Sequence, residues 1–191
     1  MYQTKLKLIV MYFLGAFILS IGAYAQDGRP IKSQDQEMDK VNVVPKNFTT
    51  EIIVVDDEGR KRAQDIIEIY KILSTEPTPD NLKKYLSDNY VQHSTMVPDG
   101  YNGLAMVFSS SVKQYPVEID VHRIMVIGDW AMAHVNFRNL DTTDPDDLGT
   151  AAVDLYYYAP DGKVLEHWDV LQAVPTYSVN PNGMFLKITK D

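Results

Sequence analysis

Two strands joined by a tight turn are encoded by residues 150–172, TAAVDLYYYAPDGKVLEHWDVLQ. β-Branched and aromatic residues, which favour extended backbone, are concentrated on both sides of Pro160-Asp161-Gly162, which is a turn signal. This stretch therefore predicts strands over 150–158 and 163–172 that pair as an antiparallel hairpin.

A second hairpin and three helices are predicted upstream. Gly128-Asp129 separates two further strand patterns, 117–127 and 130–140.

Apolar residues at helical spacing predict a long amphipathic helix with one apolar face: Ala63, Ile66, Ile67, Tyr70 and Leu73. Thr78-Pro79-Asp80 predicts the start of a short helix with apolar positions Leu82, Tyr85 and Leu86. A third helix is predicted after Asp99-Gly100, with apolar positions Leu104, Val107, Phe108 and Val112.

Helices followed by a strand meander are typical of an α+β fold. We predict a curved antiparallel sheet that wraps around the long N-terminal helix. Parallel β-α-β units are not expected among the four strands, because no helix-length segment separates them. The folded domain is expected over 51–191.

The N-terminal segment has the composition of an export signal. Lys5 and Lys7 precede an apolar run of about 15 residues, shorter than the roughly 20 that cross a bilayer as a helix, and Ala23-Tyr24-Ala25 follows. We predict a signal peptide over 1–25, cleavage after Ala25, and a periplasmic or secreted protein without membrane attachment. Residues 26–50 are polar, show no apolar period and are expected to form a flexible leader.

Composition excludes several classes of function. The 191 residues include 18 Lys and Arg against 26 Asp and Glu, and no cysteine. An acidic chain lacks the basic surface that replaces phosphate counterions, so nucleic acid is not an expected partner. Without cysteine there are no disulfides, thiolate metal sites or cysteine nucleophiles.

Polar side chains interrupt three of the predicted strands. Successive strand residues point to opposite faces, so His167 shares a face with Asp169, and Asp154 shares one with Tyr156. If the polar faces of the three strands turn towards one concave surface, a single cavity is lined by four polar groups: Asp154, His134, His167 and Asp169.

A carboxylate in such a cavity needs a partner, because desolvation of an unpaired carboxylate costs several kcal/mol. Burial and a nearby imidazolium shift the pKa of a carboxyl group in opposite directions, and the balance can reach neutral pH, where acid/base catalysis is efficient. Asp154 with a histidine partner is therefore the candidate acid/base pair. His93 is a further candidate for the cavity, whereas His122 is interpreted as structural.

Several motifs resemble SnoaL-like polyketide cyclases of the nuclear transport factor 2-like superfamily. They are YVQH at 90–93, VPDG at 97–100, GDWAMAHV at 128–135, Asp154, and DGKVLEHWDVLQ at 161–172. The resemblance covers roughly residues 60–175. It implies a cone-shaped α+β fold in which the curved sheet and the long helix enclose an apolar pocket.

The resemblance also implies a chemistry and a set of site residues. Members of the founding type close a polyketide by an intramolecular aldol reaction without metal, cofactor or covalent intermediate, using an aspartate as acid/base beside a histidine. Carried onto this sequence, it implies Asp154 as that aspartate and His134 as its companion, with His93, His167, Trp168 and Asp169 lining the pocket. Together with the strand pattern, which makes His167 an alternative proton donor, the predicted catalytic residues are Asp154, His134 and His167. The substrate-binding set is His93, Tyr90, Trp168, Asp169, Met132 and Tyr156. A homodimer is compatible with the resemblance, and the superfamily also includes isomerases, dehydratases and binding modules without catalysis.

Three functions stay open from the sequence. The first is a cofactor-independent lyase or isomerase, in which Asp154 takes the proton next to the carbonyl of a small apolar molecule and His134 or His167 donates to the enolate oxygen. The second is a secreted pocket protein that binds such a molecule unchanged. The third is a metal site of histidines and aspartates, for which the sequence has no compact ligand motif.

Overall fold

The computed structural model describes residues 47–109, 117–140, 147–180 and 182–186. Its helices and strands follow one another along the chain as β1 (Glu51–Val54), α1 (Asp57–Thr75), α2 (Pro79–Leu82), β2 (Leu86–Gln92), α3 (Gly100–Phe108), β3 (Glu118–Ile127), β4 (Trp130–Arg138), β5 (Thr150–Tyr158) and β6 (Val164–Ala173).

Six strands form one curved, unclosed sheet in the order β1-β3-β4-β5-β6-β2. Strands β3 to β6 are an antiparallel meander, which confirms the two predicted hairpins and the α+β class. The prediction of a curved antiparallel sheet holds for this meander, and the two edge strands extend it in parallel pairs, β1 with β3 and β2 with β6. Neither edge strand was predicted, since β1 has only four residues and polar residues at 87–89 interrupt β2.

Helix α1 is fixed at its start by a cap and along its length by an apolar face. The Asp56 carboxylate accepts a hydrogen bond of 2.7 Å from the backbone N–H of Gly59, which satisfies one of the free donors of the first turn. The helix then buries its apolar side chains against the sheet, Ile66 completely. The structure confirms the long amphipathic helix, although Ile67 is only partly buried and Ile69 is buried instead.

The two short helices begin where the sequence predicts. Thr78 caps α2 by accepting a hydrogen bond from the backbone N–H of Asn81, and Asp99 caps α3. Helix α2 ends at Leu82, so the prediction that it also carries Tyr85 and Leu86 is wrong: Tyr85 lies in the turn that follows, and Leu86 begins β2. In α3, Val112 of the predicted apolar face lies outside the described residues.

The two faces of the sheet have different surroundings. The inner face, defined by Ala133, Asp154, Tyr156 and His167, packs against the helices and forms the core. The outer face, defined by His134, Val153, Leu155 and Trp168, carries more exposed side chains, with Val153 and Leu155 exposed by 37% and 38%. This alternation determines which polar side chains can meet.

The predicted N-terminal segments lie mostly outside the described residues. The signal peptide over 1–25 and the leader up to residue 46 are not part of the described chain. Residues 47–50 contact the sheet, since the Phe48 ring lies 4.3 Å from the His122 ring and the Thr50 hydroxyl donates to the Val121 carbonyl. Across the described ranges, no helix has the length and apolar character needed to span a bilayer.

Replacement of Ile66 by Ala tests the α1 contact with the sheet. The side chain is fully buried, so Ile66→Ala should lower the free energy of unfolding by about 2–5 kcal/mol through lost burial and a residual cavity. Urea unfolding followed by circular dichroism measures the change. The control is Gln64→Ala on the exposed side of the same helix, and equal losses for both variants would contradict the packing described above.

Candidate functional site

A cavity of about 50 Å³ lies between the inner face and helices α1 and α3. Half of its lining is apolar and comes from both helices and the sheet: Ile69, Leu73, Leu86, Leu104, Phe108 and Phe137 are examples. The other half of the lining is polar and also comes from both helix α1 and the sheet: Tyr70, Tyr90, Gln92, Asp154, Tyr156, His167 and Asp169. An apolar cavity with a few convergent polar groups is the usual form of a small-molecule site.

Asp154 is the most deeply buried charged group of this site. The residue is 2% exposed, and its Oδ2 atom accepts a hydrogen bond of 2.5 Å from the Tyr70 hydroxyl. The Tyr156 hydroxyl donates to the Tyr70 oxygen at 2.8 Å and lies 3.5 Å from the same Oδ2. Two phenols from α1 and β5 thus supply the partners that a buried carboxylate requires.

The phenol groups stay protonated across the physiological range. Burial raises the pKa of Tyr70 and Tyr156 well above the ordinary tyrosine value, and the negative charge of Asp154 raises both further. Neither hydroxyl is therefore a base near neutral pH. In the site, Tyr70 donates a hydrogen bond to Oδ2, and Tyr156 holds Tyr70 by donating to its oxygen.

The other carboxylate oxygen faces a histidine. Asp154 Oδ1 lies 3.8 Å from His167 Nε2, beyond hydrogen-bond distance but within the distance of an ion pair if the ring is protonated. The second ring nitrogen, His167 Nδ1, lies 2.8 Å from Gln92 Oε1. Because an amide oxygen only accepts, Nδ1 carries a proton, and Nε2 is the ring nitrogen nearer to the carboxylate.

Five of the residues predicted from the sequence line this cavity together: Asp154, His167, Tyr90, Asp169 and Tyr156. Strand pairing explains the match, because Asp154 lies opposite Asp169 and Tyr156 lies opposite His167 in adjacent strands. Residues directly opposite one another in antiparallel strands share a face and have neighbouring side chains. The structure thus brings the predicted carboxylate and one of the predicted histidines to the same cavity.

The placement of His134 beside Asp154 is wrong. The register pairs Asp154 with Ala133, so His134, one residue later, points to the outer face. Met132 shares that face with His134, and Trp168 lies on it because it pairs with Leu155. A one-residue difference in register reverses the face of every side chain, and the sequence alone did not fix that register.

His93 also lies away from the cavity. Its ring stacks on Trp168 with centroids 4.4 Å apart, and its Nε2 atom lies 2.9 Å from Glu166 Oε2, which places it beside outer-face side chains. The three histidines of the metal alternative therefore do not converge. Within the described ranges, no group of three His, Asp or Glu side chains is arranged to hold a metal ion.

His134 and His122 belong to a separate cluster at the outer face. Arg123 Nη1 lies 2.7 Å from His134 Nδ1, and since a guanidinium only donates, the neutral ring accepts at Nδ1. Desolvation lowers the pKa of His134, and the charge of Arg123 lowers it further. The His122 ring stacks on Phe185 with centroids 4.4 Å apart. Burial lowers the pKa of His122 to about 4.

Two cavity residues with polar contacts were missed at the sequence level. Tyr70 was assigned only to the apolar face of α1, although its hydroxyl is the closest partner of Asp154. Gln92 lies inside the YVQH motif, but it was not a candidate because its side chain has no titratable group. The position of Tyr70 four residues after Ile66 was the available signal, because it directs the phenol towards the concave side of the sheet.

Comparison with known proteins identifies similar structures. No protein-family model matches the chain, and no curated protein matches it. A candidate polyketide cyclase from Bacillus cereus ATCC 10987 superposes with a TM-score of 0.53 and 16% identity, over 69% of this chain and 91% of its own. At that identity the match concerns the fold, and it confirms the fold expected from the sequence.

Two further solved structures show weaker similarity. A nuclear transport factor 2-like protein of unknown function from Mesorhizobium loti has a TM-score of 0.48 and 18% identity over 63% of this chain and 99% of its own. A candidate SnoaL-like polyketide cyclase from Jannaschia sp. CCS1 has a TM-score of 0.47 and 14% identity over 59% of this chain and 85% of its own.

The lowered pKa of His122 predicts a loss of stability in acid. The unfolded chain binds a proton at this histidine near its reference pKa of about 6.5, whereas the folded chain binds it only near about 4. The free energy of unfolding should therefore fall between these two pH values, and it should fall less in His122→Phe, which keeps the ring contacts. Urea unfolding at pH 7 and pH 4.5 measures the change in the free energy of unfolding for the wild-type protein and for His122→Phe. An identical change in the two proteins would contradict the lowered pKa of His122.

Proposed function

Because the chain has the nuclear transport factor 2-like fold, with a buried carboxylate beside an apolar cavity, we propose that it is a cofactor-independent acid/base enzyme. Its substrate class would be a small carbonyl compound, and the chemistry would be an aldol-type, dehydration or isomerisation reaction next to that carbonyl. The observation that carries the proposal is the unequal surroundings of the two Asp154 oxygens.

The unequal surroundings assign different tasks to the two oxygens. Oδ2 accepts a hydrogen bond from the Tyr70 hydroxyl and lies 3.5 Å from the Tyr156 hydroxyl. These two contacts hold the carboxylate in one orientation. Oδ1 faces His167 without a hydrogen bond between them, so it is the oxygen available to take a proton from a ligand. The base is thus held in one orientation, which is what proton transfer in a bound complex requires.

His167 gives the transferred proton a second position. With Nδ1 occupied by a proton, His167 Nε2 lies 3.8 Å from Oδ1 and is the nearby nitrogen to which a proton taken up by Oδ1 can pass. When Oδ1 removes a proton from the carbon next to a carbonyl, the C–H electron pair forms a C=C bond and the π electrons of the carbonyl move to its oxygen, which gives an enolate. Asp154 and His167 then return the proton at another carbon, or the enolate carbon attacks a second carbonyl group and the resulting alkoxide takes the proton.

The cavity limits the size of the ligand. Its volume of about 50 Å³ compares with roughly 150 Å³ for a cavity that holds benzene. A ligand of more than a few heavy atoms therefore requires movement of the lining side chains. A small ketone is the appropriate first probe of the chemistry.

The second candidate function is binding without chemistry. The apolar lining supports it, because burial of a small apolar molecule needs no proton transfer and Asp154 and His167 would then only orient a polar group. The two candidates differ in one observable, namely exchange of the ligand's acidic protons with solvent.

Replacement of Asp154 tests the acid/base proposal. The wild-type protein should accelerate the exchange of acetone methyl protons for deuterium in D₂O, and Asp154→Asn should reduce that acceleration by about 10²-fold or more, the usual contribution of a general base. Proton NMR follows the methyl signal with time.

The matched control is Asp161→Asn in the exposed turn between β5 and β6, which should exchange acetone at the wild-type rate. Wild-type protein that binds acetone without exchange would contradict the enzyme and favour the binding function. Equal exchange by wild type and Asp154→Asn would remove this carboxylate from the reaction.

The cellular location and the assembly state are also proposals. The lysine-led apolar run and Ala23-Tyr24-Ala25 support export to the periplasm or medium with cleavage after Ala25. The exposed apolar side chains of the outer face, such as Trp130 and Leu155, support a homodimer that covers them.

Export is tested by the mass of the protein recovered from a bacterial host. Expression of the full sequence should yield a periplasmic or secreted product that begins at Gln26. Replacement of Ala23 and Ala25 by Gln should block cleavage and leave the longer product, because the cleaving enzyme requires small residues there. A cytoplasmic product with residues 1–25 intact in the unmodified protein would refute export.

A further inference from the structure

Gln92, at the end of β2, connects two polar residues of the cavity. Its Oε1 atom accepts a hydrogen bond of 2.9 Å from the backbone N–H of Ser94 and lies 2.8 Å from His167 Nδ1. Its Nε2 atom donates a hydrogen bond of 3.0 Å to the Tyr90 hydroxyl oxygen. One amide therefore contacts both the histidine of the acid/base pair and a cavity phenol.

The orientation of this amide is determined by the backbone. The Ser94 N–H can only donate, so the amide atom next to it must be the oxygen. The amide nitrogen then has to face Tyr90. A flipped amide would place an N–H group against the Ser94 N–H and would leave buried donors without acceptors.

This orientation determines what Tyr90 offers to a ligand. The phenol oxygen accepts from Gln92, and within the described ranges the hydroxyl donates to no protein acceptor. Tyr90 is 5% exposed and lines the cavity, and burial followed by the charge of Asp154 raises the pKa of its hydroxyl. The phenol is therefore protonated, and its proton is available to an acceptor inside the cavity.

We propose that Tyr90 donates a hydrogen bond to the ligand's carbonyl oxygen, and that Gln92 is a positioning residue that orients Tyr90 and holds the proton of His167 on Nδ1. The role in catalysis rests on the proposed function. As Asp154 Oδ1 takes the carbon-bound proton, negative charge develops on the ligand oxygen, and the Tyr90 hydrogen bond stabilises it without transferring its own proton. No other reactant enters this step.

Two variants of Gln92 separate its two contacts. Gln92→Glu keeps an acceptor for Ser94 and His167 but removes the donor to Tyr90, so Tyr90 should turn its proton towards the new carboxylate. Gln92→Met has a similar length and removes both contacts. Measurements at pH 8 keep the introduced carboxyl group ionised.

The state of His167 is measured without any ligand. Long-range ¹H–¹⁵N correlation spectra distinguish protonated from unprotonated ring nitrogens. The wild-type protein and Gln92→Glu should both show a proton on His167 Nδ1, whereas Gln92→Met should show a mixture of the two tautomers. A wild-type ring with its proton on Nε2 alone, or no change in Gln92→Met, would overturn the positioning role.

The hydrogen bond from Tyr90 is measured with [2-¹³C]acetone. Hydrogen bonding moves the carbonyl carbon resonance downfield, so titration of the wild-type protein should give a bound shift downfield of free acetone. Tyr90→Phe and Gln92→Glu should lose that displacement, and both should exchange methyl protons at least tenfold more slowly. Tyr157→Phe, a tyrosine outside the cavity on the outer face, is the matched control and should retain the wild-type shift and rate.

The outcomes separate this inference from the proposed function. A carbonyl shift that depends on Tyr90, without methyl exchange, would refute the acid/base enzyme and support the Tyr90 contact as a binding determinant. Exchange that depends on Asp154 while Tyr90→Phe matches the wild type in shift and rate would support the enzyme and overturn this inference. Wild-type protein with no displaced carbonyl resonance would overturn it as well.

Discussion

Burial of one carboxylate at the centre of the sheet is the constraint on which the site depends. Asp154 lies on the inner face, where an unpaired charge would cost several kcal/mol. The hydrogen bond from Tyr70 offsets that cost and links α1 directly to β5. The packing of the long helix and the polarity of the cavity therefore depend on each other. The helix has to approach the sheet closely enough for the Tyr70 phenol to reach the carboxylate, and the space that remains beside this contact is the cavity.

The edge of the sheet completes the arrangement. Strand β2 pairs parallel to β6 and brings Gln92 and Tyr90 to the cavity beside His167. The chain thus supplies the polar groups from three separate segments: α1, the β2 edge strand, and the β5–β6 hairpin. Each group restricts the next, because the backbone of Ser94 fixes the Gln92 amide, the amide fixes the His167 tautomer, and His167 faces the carboxylate. Such a chain of contacts gives the site a preorganised geometry.

Much of the fold and part of the site could be predicted because they depend on local patterns. The turn at 160–162 and the alternation of β5 and β6 place Asp154, Asp169 and His167 on one face, and neighbouring strands of a hairpin keep that relation. His134 could not be assigned in the same way. Its face depends on the pairing of β4 with β5 across a connection whose length leaves the register open, and a shift of one residue reverses every side chain.

The sequence by itself determined the long amphipathic helix, the four-stranded meander and the presence of a carboxylate that needs a partner, because these follow from periodicity, turn residues and the cost of desolvation. Only the tertiary structure decided which partner that carboxylate has. Tyr70 meets Asp154 across 84 residues, and Gln92 meets His167 across 75. Contacts at such separations depend on how the helix and the edge strand dock onto the sheet, and no local pattern encodes that docking. The docking of the edge strand also places Tyr90 in the cavity, whereas the register of β4 with β5 places His134 outside it.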